Sequence, residues 1–282
     1  MRLLVTGGAG QLGRAVCRRL TAMGVAFRGV DTGDFDLTDE AATMAALKDY
    51  APDGVLHCAA YTAVDKAETE KELCRRVNVD GTINLAKACR EVDARLLFTS
   101  TDYVFDGLGE TPFEADAPKA PVNYYGETKA IGEEEVLSRV PKSFIVRISW
   151  LFGLEGNNFV KTMLRLGAQQ QSVRVVMDQI GSPTYAEDVA LLMCKMIQTE
   201  KYGVYHATNE GFCNWHTFAS AIMEKAALPC KVEALPTSEY PTAAKRPMNS
   251  RLSKRSLDEA GFARLPSWED ALERYFAAQK AE

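Results

Sequence analysis

The chain has 282 residues, of which 46% are hydrophobic and 25% are charged, and its formal net charge is −5. This composition is typical of a folded chain with a large core, and it excludes an intrinsically disordered protein. The acidic balance argues against nucleic acid as a partner, because a phosphate backbone requires a local excess of Lys and Arg.

The N-terminal segment is predicted to form a strand, a glycine loop and a helix. Residues 2–6 are apolar enough for a short buried strand, and an amphipathic helix is predicted to about residue 23. Between them, Gly7, Gly10 and Gly13 have Gly-x-x-Gly-x-x-Gly spacing. Glycines permit a tight turn and a close approach of backbone to pyrophosphate, whose negative charge the helix start favours. In this strand–loop–helix context the motif predicts dinucleotide binding.

A second strand is predicted over 26–30 and ends in Asp31. The distance from the glycine loop is close to that of the carboxylate that accepts from the ribose 2′-OH in dinucleotide-binding folds. Residues 32–34 contain no Lys or Arg, so a 2′-phosphate would meet like charge and NADH is favoured. Because Arg28 lies nearby, we expect use of both NADH and NADPH, with NADH at least as good.

Helices and strands continue to alternate to about residue 150. Helices are predicted over 39–50, 72–92 and 124–140, and strands over 54–58, 95–100 and 143–149. Such a chain forms a parallel sheet, and ligands bind outside the carboxyl ends of its strands, where Ala60, Thr62 and Thr101 would lie. We predict an α/β fold with a Rossmann-type doubly wound parallel sheet, in which 1–150 is a dinucleotide-binding domain that carries the catalytic residues.

The helix predicted from Tyr124 contains a candidate acid. Tyr125 and Lys129 stand four residues apart, so a helix places both side chains on one face. A free tyrosine has a pKa of about 10, and a neighbouring cation would lower that pKa toward neutrality. By itself, a Tyr-x-x-x-Lys pair is equally compatible with an ordinary surface helix.

Beyond residue 150 the pattern loosens, and a smaller, mainly substrate-binding lobe is predicted over 151–282, with segments at about 173–198 returning to the Rossmann core. Further elements are helices over 160–170 and 187–198, a strand over 173–176, and helices that begin at Trp215 and Trp268 with Asn214 and Ser267 as their caps. Residues 245–255 hold five basic residues and no acid, which predicts either a solvated face or an anion clamp.

The seven cysteines include no C-x-x-C pair, and we expect them to be reduced thiols. No apolar leader precedes the first strand, and no apolar run approaches the roughly 20 residues that span a bilayer. The three histidines have no metal-ligand spacing, so no metal site is predicted. These patterns favour a cytoplasmic protein that binds small molecules and no membrane.

Three motifs agree in order and spacing: the glycine loop, Thr101, and the Tyr125–Lys129 pair. Together they resemble the extended short-chain dehydrogenase/reductase family, and within it the dTDP-4-dehydrorhamnose reductases. The narrower resemblance runs nearly end to end, and it is carried by residues 10–13, 61–68, 100–105, 125–129, 147–150 and 246–250.

This resemblance implies hydride transfer from NADH or NADPH to C4 of dTDP-4-dehydro-L-rhamnose, giving dTDP-L-rhamnose for surface polysaccharide. It implies that Tyr125 protonates the developing alkoxide, that Lys129 lowers the pKa of Tyr125 and holds the nicotinamide ribose, and that Thr101 hydrogen-bonds the substrate carbonyl or tunes Tyr125. The remaining implied contacts are Gly10, Gln11 and Leu12 to the pyrophosphate, Asp36 and Leu37 to the adenine, Ala60, Tyr61, Thr62 and Thr99 to the rest of the dinucleotide, and Asp102 and Trp150 to the sugar.

Two alternatives have to be weighed. Similar dehydratases and epimerases of nucleotide sugars share the glycine loop and the Tyr–Lys pair, but the dehydratases place Thr-Asp-Glu where this chain has Thr101, Asp102 and Tyr103. The missing acid favours reduction. A regulatory or binding protein that keeps the reductase fold without turnover is the rival from another class, and the intact Thr101, Tyr125 and Lys129 argue against it.

Substrate anchoring and assembly complete the expectations. Arg246 or Arg251 of the basic run should pair with the substrate diphosphate, because phosphates entering a cleft need charge-assisted donors.

Some similar reductases are described as dimers bridged by Mg²⁺, but one ligand position is Ala15 here, and Glu187 alone would not satisfy a hard cation. We therefore consider Mg²⁺ doubtful and expect a monomer or a weak homodimer.

Overall fold

A computed structural model of the protein describes residues 1–280. The strands are β1 (Arg2–Thr6), β2 (Ala26–Val30), β3 (Gly54–His57), β4 (Arg95–Thr101), β5 (Ser143–Ile148), β6 (Leu151–Phe152), β7 (Ser172–Val176), β8 (Ile180–Gly181), β9 (Thr184–Tyr185), β10 (Gly203–His206), β11 (Cys213–Asn214) and β12 (Lys231–Leu235). The helices are α1 (Gln11–Ala22), α2 (Glu40–Tyr50), α3 (Val64–Ala67), α4 (Lys71–Arg75), α5 (Gly81–Glu91), α6 (Tyr124–Arg139), α7 (Phe159–Gln169), α8 (Ala186–Met196), α9 (Trp215–Lys225), α10 (Arg255–Glu259) and α11 (Trp268–Gln279).

The central sheet has six strands in the order β10-β5-β4-β3-β1-β2, and every neighbouring pair is parallel. Its inner strands are almost entirely buried, as expected for a parallel sheet covered on both faces. Alternate residues point to opposite faces, so Leu3 packs in a core with α1 and α8, whereas Leu4 packs in a second core with α2, α5 and α6. The predicted doubly wound α/β fold is confirmed.

The smaller lobe has its own apolar core, to which α7, α9 and α11 contribute. Strand β7 pairs in parallel with β12 and its Val173 and Val175 lie in this core. Helix α8 packs on α1 in the core of the central sheet, whereas the partner of β7 comes about sixty residues later in the chain. Strand β10, which follows α8, was not predicted and forms the edge of the large sheet beside β5.

The helix predicted over 72–92 is interrupted. A π-helical segment, Arg76–Asp80, joins α4 to α5 and contains the buried Asn78. A π segment places one extra residue in a turn, and such segments are frequent at functional sites. The wider turn brings Asn78 against the loop after β3 and against α6, as described below.

Several helix starts agree with the sequence. Asp39, Asn214 and Ser267 each accept a backbone N–H of the first turn of α2, α9 and α11. The cysteines are all free thiols. None of the helices within residues 1–280 combines the length and the apolar character needed to cross a bilayer.

Candidate active site

A cavity of about 630 Å³ opens at the carboxyl ends of the central strands. The predicted residues that line it are Gly7, Gly10, Gln11, Leu12, Gly13, Asp31, Asp36, Leu37, Ala60, Thr62, Thr99, Thr101, Asp102, Tyr125, Lys129 and Trp150. The fold therefore gathers residues from five separate strand ends and from α6 around one space.

The glycine loop leaves room for a phosphate group at one end of this cavity. Gly7 has φ +67°, and a Cβ atom there would lie 2.7 Å from the backbone nitrogen of Ala59. The N–H of Arg14 donates to the Gly10 carbonyl at 2.9 Å, so the amides of residues 11–13 belong to the first turn, where a helix supplies no acceptor. Helix α1 has no acid in that turn. The loop fits the pyrophosphate of a dinucleotide.

Asp31 lies at the end of β2 beside this loop. Its carboxylate accepts from the amide of Ala9 at 3.1 Å and from the amide of Thr32 at 2.9 Å. The carboxylate thus ties the strand end to the glycine loop and stands where a ribose would enter the cavity. Its two existing hydrogen bonds leave lone pairs for a hydroxyl donor.

Tyr125 and Thr101 meet at the other end of the cavity. Asn123 caps α6 by accepting from the N–H of Gly126, which fixes the first turn of the helix that carries Tyr125. Tyr125 and Thr101, which ends β4, both line the cavity there, and Thr101 opposes the rise in the Tyr125 pKa described below. The ring of Tyr103 packs edge-on against Tyr125 at 5.9 Å.

The pKa of Tyr125 is raised above its usual value, first by burial and then by the charge of Asp102. This direction is opposite to the one expected from sequence, because burial disfavours the charged phenolate. Burial also lowers the pKa of Lys129 to about 7, against the opposing effect of Glu133. The Lys129 ammonium lies 3.9 Å from the ring centroid of Phe98 and is almost fully buried.

Asp102 is a buried acid beside Tyr125. Thr101 donates to its Oδ1 at 3.0 Å, and the side chain of Ser250 also stabilises the carboxylate, whereas no hydrogen bond reaches the buried Oδ2 from residues 1–280. Burial raises the pKa of Asp102 to about 6. An acceptor left unsatisfied at a cavity wall is suited to a hydroxyl group of a ligand.

A buried ion pair between Glu133 and Arg147 stabilises the position of α6 next to the cavity. Glu133, one turn after Lys129 on α6, accepts from the Arg147 guanidinium at 2.7 and 2.8 Å, and Ser100 donates to it at 2.6 Å. Both charged side chains are nearly inaccessible to solvent. The pair joins α6 to β4 and β5, and so holds the helix of Tyr125 against the strands.

Asn78 of the π segment connects two walls of the cavity. Its amide accepts from the N–H of Tyr61 at 2.8 Å, and donates to the Tyr61 carbonyl at 3.1 Å and to the Thr128 hydroxyl at 3.0 Å. The loop after β3 is thereby fastened to α6. Periodicity in the sequence carried no signal for this contact.

Three predicted residues make other contacts. The Tyr61 hydroxyl donates to Glu70, and Tyr61 is not among the residues that line the cavity. Arg246 forms a two-point ion pair with Asp65 at 2.6 and 3.1 Å. Arg251 donates to the carbonyl of Glu110 and to the side chain of Asn249.

The cavity also has lining residues that were not predicted, among them Tyr103, Asn157 and Trp215. Trp215 is the first residue of α9 in the smaller lobe, and its ring stacks on Trp150. The sequence places Trp215 in the capped first turn of a helix, but nothing in it indicates that the ring reaches a cavity formed mainly by the other lobe.

The chain is similar to known proteins over nearly its whole length. The family model described as "RmlD substrate binding domain" matches residues 1–281. The chain is 39% identical to a dTDP-4-dehydrorhamnose reductase of Aggregatibacter actinomycetemcomitans, over 96% of this chain and 97% of that protein. It is also 39% identical to the spore coat polysaccharide biosynthesis protein SpsK of Bacillus subtilis, over 97% and 96% of the two chains.

A solved structure is equally similar. The dTDP-4-dehydrorhamnose reductase of Bacillus anthracis, crystallised in complex with NADP, has 41% identity to this chain and a TM-score of 0.96. The alignment covers 98% of this chain and 99% of that one.

Proposed function

The chain belongs to the dTDP-4-dehydrorhamnose reductase family, and from this membership we propose that Tyr125, Thr101 and Lys129 perform its reaction. The protein is an NAD(P)H-dependent oxidoreductase that reduces the C4 keto group of dTDP-4-dehydro-L-rhamnose to give dTDP-L-rhamnose for polysaccharide synthesis. The observation that supports the proposed residues best is that Thr101, Tyr125 and Lys129 line the same cavity as the glycine loop.

In this proposal the dinucleotide is held by the glycine loop at its pyrophosphate, by Asp31 at its adenosine ribose and by Lys129 at its nicotinamide ribose. Bound there, the cofactor supplies the hydride. The chain's own residues place the sugar carbonyl and supply the proton. Thr101 orients the carbonyl oxygen toward the Tyr125 hydroxyl.

Tyr125 is the proposed proton donor. A raised pKa keeps its phenol protonated at neutral pH, so the proton is in place before reaction. An alkoxide is a stronger base than a phenolate, and the transfer from Tyr125 to the developing oxyanion is therefore favourable. The charge of Lys129 stabilises the phenolate that remains. Asp102, which lines the cavity, accepts a hydroxyl of the sugar and fixes the ring.

The direct test follows NAD(P)H absorbance with dTDP-4-dehydro-L-rhamnose made in situ. Oxidation that depends on the sugar supports the proposal. The alternative of a binding protein without turnover requires that a well-folded sample bind the cofactor and produce no oxidation above background.

The charge at Asp31 yields a prediction on cofactor choice. We expect dual use, with NADH at least as good as NADPH. In Asp31→Ala, kcat/KM for NADPH should improve about fivefold or more relative to that for NADH, because one like charge at about 4 Å costs roughly 1 kcal/mol in water and more in a lower dielectric. The measurement is kcat/KM for both cofactors on both proteins. A strong NADPH preference in the wild type, or no relative gain in the variant, would contradict the electrostatic argument.

Arg246 yields a prediction on substrate anchoring. Its guanidinium is paired with Asp65, and its charge acts on Tyr103 of the cavity lining. We propose that it turns to the substrate diphosphate. Arg246→Ala should raise KM for the nucleotide sugar about 10- to 100-fold, the span of a charge-assisted hydrogen bond, and leave KM for the cofactor unchanged. Arg255→Ala is the matched control, since Arg255 is an exposed member of the same basic run that pairs with Glu259. Equal effects on both KM values would show that Arg246 is structural.

We further propose a cytoplasmic enzyme that is a monomer or a weak homodimer and functions without Mg²⁺. Seven free thiols are typical of a reducing compartment. Ala15 offers no oxygen ligand, and Glu187 is already paired with Arg18 and Arg19.

A further inference from the structure

Trp150 has an unusual backbone for a large side chain. It lies two residues after Ile148, the last residue of β5. Ile148 is paired in register with Thr101 on β4, so Trp150 lies near the strand end that carries Thr101. Its φ is +48°, in the left-handed region that bulky residues rarely occupy. Residues kept in this region are held by their surroundings and cluster at functional sites. The conformation turns the Trp150 side chain into the lining of the cavity.

Two contacts hold this indole. Its ring is stacked on Trp215 with a centroid distance of 3.8 Å and an interplanar angle of 17°. The ring also lies against the backbone of Gly181. A Cβ atom at Gly181 would come within 2.8 Å of the Trp150 ring, so a side chain there would collide with the indole. Trp215 is in turn packed against Phe159 at 4.5 Å.

One small ladder supplies both contacts. Strands β8 and β11 are antiparallel, with Cys213 opposite Gly181. Asn214 then caps α9, whose first residue is Trp215. The register of this ladder therefore sets the positions of Gly181 and Trp215 together. In this way the smaller lobe holds the side chain of Trp150, which follows strand β5 of the large sheet.

We propose that Trp215 is a positioning residue for the reduction: it holds Trp150 across the sugar end of the cavity, so that the C4 carbonyl is placed against Thr101 and Tyr125. This inference rests on the proposed function. Without the stack, the left-handed Trp150 would relax and the hexose would lose one wall. Misplacement of about 1 Å can lower the rate on the order of 100-fold.

The test compares Trp215→Ala, Trp215→Phe and Gly181→Ala. Trp215→Ala should lower kcat/KM for the nucleotide sugar about 10- to 100-fold, with NADPH affinity within about twofold of wild type. Trp215→Phe should recover most of the loss, because a phenyl ring can stack. Gly181→Ala should resemble Trp215→Ala, because the added methyl group displaces the Trp150 ring.

Trp268→Ala is the matched control. Trp268 lies in the same core of the smaller lobe and packs on Phe218, away from the cavity. This variant should lose thermal stability but keep kcat/KM for the sugar, measured below its Tm. If Trp215→Ala behaves like Trp268→Ala, Trp215 serves only the core and the proposal is wrong.

A second readout does not depend on turnover. The chain has three tryptophans, so Trp268→Phe leaves Trp150 and Trp215 as the indole signals. In that background we expect the stacked Trp150–Trp215 pair to give a near-UV circular dichroism signal. The signal should disappear in Trp215→Ala, and binding of dTDP-L-rhamnose should change it. No perturbation at saturating ligand would overturn the inference. Absence of NADPH oxidation in the wild type, with the perturbation intact, would instead refute the proposed reaction.

Discussion

Replacement of Tyr125 by phenylalanine is expected to lower kcat by about 10²- to 10⁴-fold, the usual span for the loss of a positioned acid. The substitution removes the hydroxyl at the cavity wall and keeps the ring that packs on Tyr103, so the fold and cofactor affinity should be retained. Single-turnover rates of NADPH oxidation, with the Kd for NADPH measured in parallel, check this expectation.

The neighbouring Tyr124 is the matched control for this experiment. It stands on the same first turn of α6, and its ring lies under the Lys71 ammonium at 5.1 Å rather than in the cavity lining. Tyr124→Phe should leave kcat unchanged. Near-normal turnover in Tyr125→Phe would remove Tyr125 from the mechanism, and a loss of NADPH binding would assign it a structural role.

Replacement of Lys129 by methionine has opposite effects on activity and on stability. Turnover should fall about 100-fold or more, because the charge that stabilises the Tyr125 phenolate is lost. The free energy of unfolding at pH 6 to 7 should rise by at least about 1 kcal/mol, since a pKa depression of one unit corresponds to about 1.4 kcal/mol. Methionine fills the same space and keeps a favourable contact with the Phe98 ring.

The sign of the stability change follows from the direction of the pKa shift. The pKa of Lys129 is about 7 in the folded protein against 10.5 for the ordinary side chain. The cost of burying the charge is present in full below pH 7 and is relieved as the pH rises toward 10.5, because only the unfolded chain still binds the proton there. The gain in Tm of Lys129→Met should therefore shrink between pH 7 and 10.5.

Lys142→Met is the surface control for Lys129. Its ammonium pairs with the exposed Asp93, and the substitution should leave turnover unchanged and stability nearly so. A pH-independent change in Tm for Lys129→Met would contradict the burial argument, whereas full activity would remove the lysine from the site.

The sequence predicted those parts of the site that local chemistry determines. The glycine loop was recognisable because a tight turn and a free helix start require particular residues within seven positions. Tyr125 and Lys129 were recognisable because helical spacing places them together. The caps at Asn214 and Ser267 were predicted because a side-chain oxygen just before a helix accepts a free amide of its first turn.

Features that depend on contacts between distant residues escaped prediction. The π segment looks like a regular helix in its apolar spacing, and its stabilising contacts to Tyr61 and Thr128 come from other elements. Strand β7 finds its partner in β12, which no local pattern indicates. The pKa of Tyr125 was expected to fall and instead rises, because burial is a property of the tertiary structure.

The packing of α8 on α1 has a consequence for synthesis of the protein on the ribosome. The thiol of Cys194 lies against the carbonyl of Val16, 178 positions earlier in the chain. At ordinary elongation rates this interval lasts on the order of 10 to 40 s. Throughout that time the apolar face of α1 has no covering helix, and the nascent chain carries an exposed hydrophobic surface. We therefore expect the nascent chain to bind chaperones near the ribosomal exit tunnel until α8 emerges.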